Sequence, residues 1–196
     1  MAEDDTRHRT TSTSVPRFEI GDARGRQWSL KGLSSPAKAV RFFRIALGLG
    51  AATAEDVREW ALAYSKSSSR VPEWVWDVLD PAVPVDQALR DKDPVDPADA
   101  NVRAELEVLE AAVRAGTLAP EVALARIHDR KWRGDLEWHD PHTGARTPEG
   151  AAAHALADAW AKEKLHREVE RGQASPSWPD LDARLRAFLS RFRLAA

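Results

Sequence analysis

The sequence predicts a mainly α fold: bundle-like helical domains with one N-terminal β-hairpin and room for a second short hairpin near 135–146. Three observations carry that expectation. Apolar residues recur at i, i+3, i+4, i+7 along most of the chain after residue 35, the repeat of a helix with one buried face. Pro36, Pro72, Pro120 and Pro148 open these segments, and Gly48, Gly116 and Gly172 close them, as prolines and glycines punctuate helices. Period-two alternation is confined to residues 17–30 and a few positions near 136–139.

Residues 1–14 are rich in Ser, Thr and charge, and are expected to be a disordered tail. A first domain is expected over 15–80. In RFEIGDARGRQWSL, Phe18 and Ile20 alternate with Arg17 and Glu19, and Trp28 and Leu30 with Gln27 and Ser29, about a Gly-rich turn. That is a hairpin pattern. A lone hairpin is marginal in water, so its apolar face needs helices to lie on. The first helix runs from Ser35-Pro36 to about Leu47, with Val40, Phe43 and Leu47 on one side and Phe42, Ile45 and Leu49 on another, which predicts broad burial. Thr53 and Asp56 are spaced as a capping box for a second helix carrying Val57, Trp60, Ala61 and Tyr64. After the loop KSSSR, Pro72 opens PEWVWDVLD, in which Trp74, Val75, Val78 and Leu79 share a face and Trp76 points elsewhere.

Residues 81–101 read as a linker. The segment from Asp80 to Asn101 holds four prolines and six aspartates, broken by one short apolar turn from Val85 to Leu89. A second domain of four helices is expected over 102–196. Its first helix begins near Ala98, shows the stripe Val102, Leu106, Leu109, Val113, and stops at Gly116. The next starts at Pro120 and carries Leu124 and Ile127. The third has Thr147 as its cap and runs to Arg171, with Ala153, Leu156, Ala157, Trp160, Leu165 and Val169 assigned to its stripe. The last starts near Ser177, and Leu181, Leu185, Phe188, Leu189 and Phe192 give the clearest amphipathic spacing in the chain.

Composition narrows the chemistry. A chain of 196 residues can bury roughly 70% of its unfolded surface and needs no covalent staple. It has no cysteine, which removes disulfides, thiolate catalysis and Cys-ligated metal sites, and fits a reducing compartment. The first residues lack the apolar core of a secretory signal, and no apolar run approaches the roughly 20 residues of a membrane helix. The expectation is a cytoplasmic protein without a membrane. Twenty-two arginines against seven lysines, with abundant alanine, fit a GC-rich bacterial or phage genome. The net charge of −2 is unevenly spread. Residues 15–50 hold seven basic and two acidic groups, residues 51–110 six and fourteen, and Arg184 to Arg193 four arginines with no acid. Such blocks either meet a charged partner or neutralise each other within the fold.

The most suggestive chemical stretch is WHDPHTGARTP, with His139 and His142 three residues apart. Asp140-Pro141-His142-Thr143-Gly144 is turn chemistry throughout: Pro presets φ, Asp accepts from amides ahead of it, and Gly takes positive φ. A metal site would need His128, Asp129, Asp140, or His154 with Asp158 to join the two histidines, and the spacing matches no established zinc pattern. No nucleophile-elbow or phosphate-loop motif is present. No cofactor, metal or catalytic residue is therefore expected. Eight tryptophans remain to be explained. Trp60 and Trp160 lie on helical stripes, whereas Trp76, Trp132, Trp138 and Trp178 lie off-stripe, at helix ends or in turns. Tryptophan and arginine dominate binding hot spots.

These readings favour a non-catalytic protein–protein interaction protein, such as an adaptor, an inhibitor or immunity protein, a chaperone or an assembly subunit. Its partner-binding residues would be Trp76, Trp132, Trp138, Trp178, Arg130 and Arg133. The first alternative is nucleic-acid binding. ALGLGAATAEDVREWA resembles the opening of a helix-turn-helix or winged-helix unit, which would bring Lys66 and Arg70 to phosphates; a basic site could instead use Arg17, Arg24, Arg26, Lys38, Arg41 and Arg44. Against it, the segment in the recognition-helix position carries Glu73, Asp77 and Asp80 and no base. A metal-dependent enzyme built on the His/Asp cluster is the third reading.

Overall fold

Pro36 fixes the first turn of helix α1 (Pro36–Gly48), and the chain leaves that helix through Gly50 at φ +65°, a left-handed exit. The computed structural model describes residues 19–21, 27–29, 35–90, 92 and 98–193, with the backbone alone at 19–21, 27–29 and 98–101. The expected tail 1–14, and the residues Arg17, Arg24 and Arg26, lie outside the described residues. So do the turn at 22–26 and the flanks of the expected hairpin. What is described there is two three-residue strands, β1 (Glu19–Gly21) and β2 (Gln27–Ser29), paired antiparallel with Ile20 opposite Trp28. β1 lies beside α2 and β2 beside α5, both defined below.

The described chain is mainly helical. Helix α1 buries Ala39, Val40, Phe42, Phe43 and Ala46, two sides of its surface. Helix α2 (Ala54–Ser67) starts at the capping box read from the sequence: Asp56 N–H donates to Thr53 Oγ1 at 3.2 Å, and Thr53 N–H donates to Asp56 Oδ2 at 2.6 Å. Helix α3 (Glu73–Leu79) buries Trp74, Val75 and Val78. Trp60 lies between Tyr64 and Trp74, stacked on both at centroid distances of 5.1 and 5.8 Å. The Pro/Asp-rich stretch is not free chain throughout. Its apolar turn is helix α4 (Val85–Arg90), with Val85, Ala88 and Leu89 buried against α1, α2 and α3. Leu89 in particular is fully buried, and one turn of helix suffices to present it.

Helix α5 (Ala98–Ala115) is buried on several faces, at Val102, Glu105, Leu106, Val108 to Val113. A helix covered nearly all round sits at the centre of its assembly. Accordingly α1 rests on one side of α5, while α6 (Pro120–Trp132) and α8 (Trp178–Leu189) rest on others, and α7 (Pro148–Val169) packs between α6 and α8. A short 3-10 turn, Ser190–Phe192, continues α8 and buries Phe192. The buried apolar side chains of α1 to α4 and of α5 to α8 form one cluster.

Three sequence expectations are corrected here. Leu165 and Val169 do not belong to the buried stripe of α7; they are 62% and 69% exposed. At 100° per residue, Leu165 stands about 140° from Trp160, and the buried position on that face is Glu163 instead. Helix α7 also ends at Val169, ahead of Arg171 (φ +53°) and Gly172 (φ +91°). The second hairpin reduces to a single antiparallel bridge, His139 with Arg146. It is closed by Asp140 N–H to Ala145 O at 2.7 Å and Thr147 N–H to Trp138 O at 2.7 Å. This loop sits on the first turn of α7, where Gly150 permits the contact. A Cβ there would stand 3.1 Å from the Trp138 carbonyl oxygen and 3.3 Å from that of Leu136.

Candidate functional site

Helix α6 ends where Gly134 adopts φ +78°, with Gly134 N–H reaching Lys131 O (3.0 Å) and Asp135 N–H reaching Arg130 O (3.0 Å). Ion pairs then fix this end to its neighbours. Arg130 donates through Nε to Glu105 Oε2 at 2.6 Å and through Nη1 to Asp135 Oδ2 at 2.7 Å, so α6 is tied both to α5 and to its own exit loop. Lys131 bonds Asp158 on α7. On this anchored turn, Trp132 keeps 77% of its surface exposed. Its Nε1–H donates to Nε2 of His128 one turn earlier at 2.9 Å, with ring centroids 6.1 Å apart. The indole polar group is thus satisfied within the helix while the apolar body stays uncovered. Arg133 beside it is exposed as well.

The other residues assigned to partner binding separate into two groups. Trp76 is 52% exposed on α3, beside the exposed Glu73 and Asp80. Trp138 is half-buried against Phe192 at 6.0 Å. Trp178 is half-buried too, 6.3 Å from Trp160, with the Arg167 guanidinium 4.3 Å from its ring centre. Arg130 is committed to Glu105 and Asp135. Trp138, Trp178 and Arg130 therefore hold elements together, and Trp132, Arg133 and Trp76 present surface.

Among the described residues, the basic residues of the nucleic-acid reading lie on α1 and at the α2–α3 loop. Lys38 and Arg41 lie near Glu107 of α5, where burial pushes the Glu107 carboxyl up and Arg103, Lys38 and Arg41 pull it back. Arg44 is exposed on α1, and Lys66 and Arg70 are exposed at the α2–α3 loop. Helix α3, in the recognition position, exposes Glu73 and Trp76.

The histidines of the metal reading also separate. His142 is exposed at the loop tip, where Asp140 Oδ1 accepts from the amides of His142 and Thr143 at 2.8 Å each; these bonds hold the Asp140 carboxyl below its ordinary range. His128 is engaged by Trp132, Asp129 is exposed, and Asp158 is held by Lys131. His139 and His154 instead converge on Glu137, at 3.8 and 3.2 Å, with Arg146 Nη2 donating to the same carboxylate at 2.7 Å. Sequence reasoning missed Glu137; its signal was the i, i+2 spacing with His139 on one side of an extended segment. Among the described residues no three His, Asp or Glu groups are placed to share a metal ion. No described helix is long and apolar enough to cross a membrane.

His154 gives a pH prediction. Burial and the Arg146 charge hold its imidazole below the ordinary range, outweighing Glu137. A base whose folded pKa is depressed binds fewer protons folded than unfolded, so stability falls as pH drops below the unfolded value of about 6.5. The melting temperature is expected to fall between pH 7 and 5.5, and His154→Gln is expected to flatten that part of the profile. An unchanged slope in the variant would contradict the assignment.

Comparison with protein-family models, with curated proteins and with solved structures gives no match.

Proposed function

We propose that the chain is a non-catalytic interaction protein whose docking surface is centred on Trp132 and Arg133 at the end of α6, with Trp76 as a second exposed anchor. The observation that carries the reading is the combination at Trp132: a large apolar side chain 77% exposed, yet held in place by its own helix. Ordering entropy is largely spent before a partner arrives, so covering the indole yields more net affinity than covering a loose side chain. Tryptophan and arginine are also among the residues enriched in binding hot spots. The lack of cysteine and the arginine bias support placing this binding protein in a bacterial or phage-infected cytoplasm.

The test is affinity capture with the full chain from host extract, run in parallel with Trp132→Ala. The wild type is expected to retain one protein in stoichiometric amount, or a second copy of itself, and the variant to lose it. Because Trp132 is mostly exposed, the same substitution should change folding stability by no more than about 0.5 kcal/mol. A monodisperse wild-type monomer that retains nothing, or a variant that retains the same protein in the same amount, overturns the reading.

A further inference from the structure

A cleft of about 190 Å³ lies between the C-terminal half of α5 and the end of α8, lined by Glu110, Val113, Arg114, Arg186, Leu189 and Arg193. Glu110 is buried, and a single one of its oxygens, Oε1, accepts from Arg114 Nε at 2.9 Å and from Arg193 Nε at 3.0 Å. Oε2 has no hydrogen bond among the described residues. Arg186 is held in the same manner, by Nε on the two oxygens of Asp182 at 3.1 and 3.0 Å. All three guanidiniums are thus pinned by the inner nitrogen. Their terminal Nη groups have no hydrogen bond among the described residues, and the side chains stay 42% (Arg114), 49% (Arg186) and 60% (Arg193) exposed.

We infer that this cleft is an oxyanion site that receives one carboxylate from an acidic side chain of a protein partner. A guanidinium fixed at Nε presents its two terminal nitrogens as a fork, the geometry that grips a carboxylate with two hydrogen bonds. Charge selects the class of anion. Three guanidiniums against the carboxylates of Glu110 and Asp182 leave the cleft with one net positive charge, which balances a carboxylate and under-compensates a phosphate dianion. The floor, Val113 and Leu189, is apolar and suits the methylene stem of an Asp or Glu side chain. The basic run from Arg184 to Arg193, conspicuous in the sequence, acquires here a built site rather than a diffuse surface. The inference rests on the interaction reading above but uses a different surface.

The test follows the Nε–H resonances of Arg114, Arg186 and Arg193 in the full chain during titration with N-acetylglutamate amide, with N-acetylglutamine amide and with inorganic phosphate. Saturable shifts at all three resonances are expected with the glutamate probe and none with the glutamine probe. Arg193→Gln and Arg186→Gln should each weaken the response at least about ten-fold, while Arg184→Gln, which pairs with Asp180 away from the cleft, should not. Should Arg193→Gln fail to fold, Arg186→Gln still decides the matter, because its partner is a single pair at the surface. No shift with glutamate, or phosphate binding about ten-fold tighter than glutamate, overturns the inference. Trp132→Ala should leave the titration unaltered, so failed partner capture beside an intact titration removes the interaction reading, and with it a protein partner as the source of the carboxylate, while the cleft stands as a carboxylate site.

Discussion

Replacing Phe43 by alanine is expected to destabilise the protein by about 3–5 kcal/mol, the cost of a deleted aromatic ring plus the cavity it leaves. Phe43 is fully buried, and its ring meets Phe42 at 5.6 Å and Trp60 at 5.5 Å, both edge-on. It stands on α1, the helix that packs against both α4 and α5. Collapse around the void would have to move Trp60, which is itself stacked between Tyr64 and Trp74, so little relaxation is available. Because the buried side chains of the two halves form one cluster, the loss should be felt throughout. Urea midpoints read by tryptophan fluorescence and by far-ultraviolet circular dichroism should fall together. A loss below about 1 kcal/mol, or two probes moving apart, would show that α1 is not wedged in a shared core.

Glu163→Ala is the second large effect, expected at about 2–4 kcal/mol, because it removes one partner of a buried charge network rather than both. Glu163 accepts from Arg167 Nε at 2.7 Å, from the Ser175 amide at 3.2 Å and from the Ser175 hydroxyl, joining α7 to the loop before α8. Arg167 in turn reaches Glu121 at 3.4 Å and covers Trp178. Burial pushes the Glu163 carboxyl up, but the bonds from Ser175 and Arg167 outweigh it and hold the group below its ordinary range. An acid with a depressed folded pKa stabilises above its unfolded value and loses that contribution as pH falls through the folded value. Glu163→Gln, which keeps the acceptor and the shape, should cost about 1–2 kcal/mol at pH 7, and the gap to wild type should narrow below about pH 4. Equal stability of wild type and Glu163→Ala would contradict the network.

Local signals in the sequence translate faithfully into structure. The Thr53/Asp56 box, the prolines at the openings of α1, α6 and α7, and the stripe of α8 that runs on to Phe192 in the 3-10 turn each depend on neighbours a few positions away, so spacing alone reveals them. Helix α4 was obscured because prolines and aspartates surround a single turn. Leu165 and Val169 continue an apolar spacing that at their distance from Trp160 has already rotated away from the buried face. The polar network is invisible for another reason: Glu110 meets Arg193 across 83 positions and Glu105 meets Arg130 across 25, and no periodicity encodes such pairs. The same distance hides the half-burial of Trp138 and Trp178, whose covers, Phe192 and Trp160, come from other elements. The exposed indoles were legible, since Trp76 and Trp132 fall off their helical stripes in sequence.

The claim that Trp132 anchors a partner is tested most directly by the dissociation constants of wild type and Trp132→Ala for the protein that the chain captures. A hot-spot indole predicts binding weaker by at least about 30-fold, or about 2 kcal/mol, with melting temperatures unchanged. Affinities equal within about two-fold would contradict it.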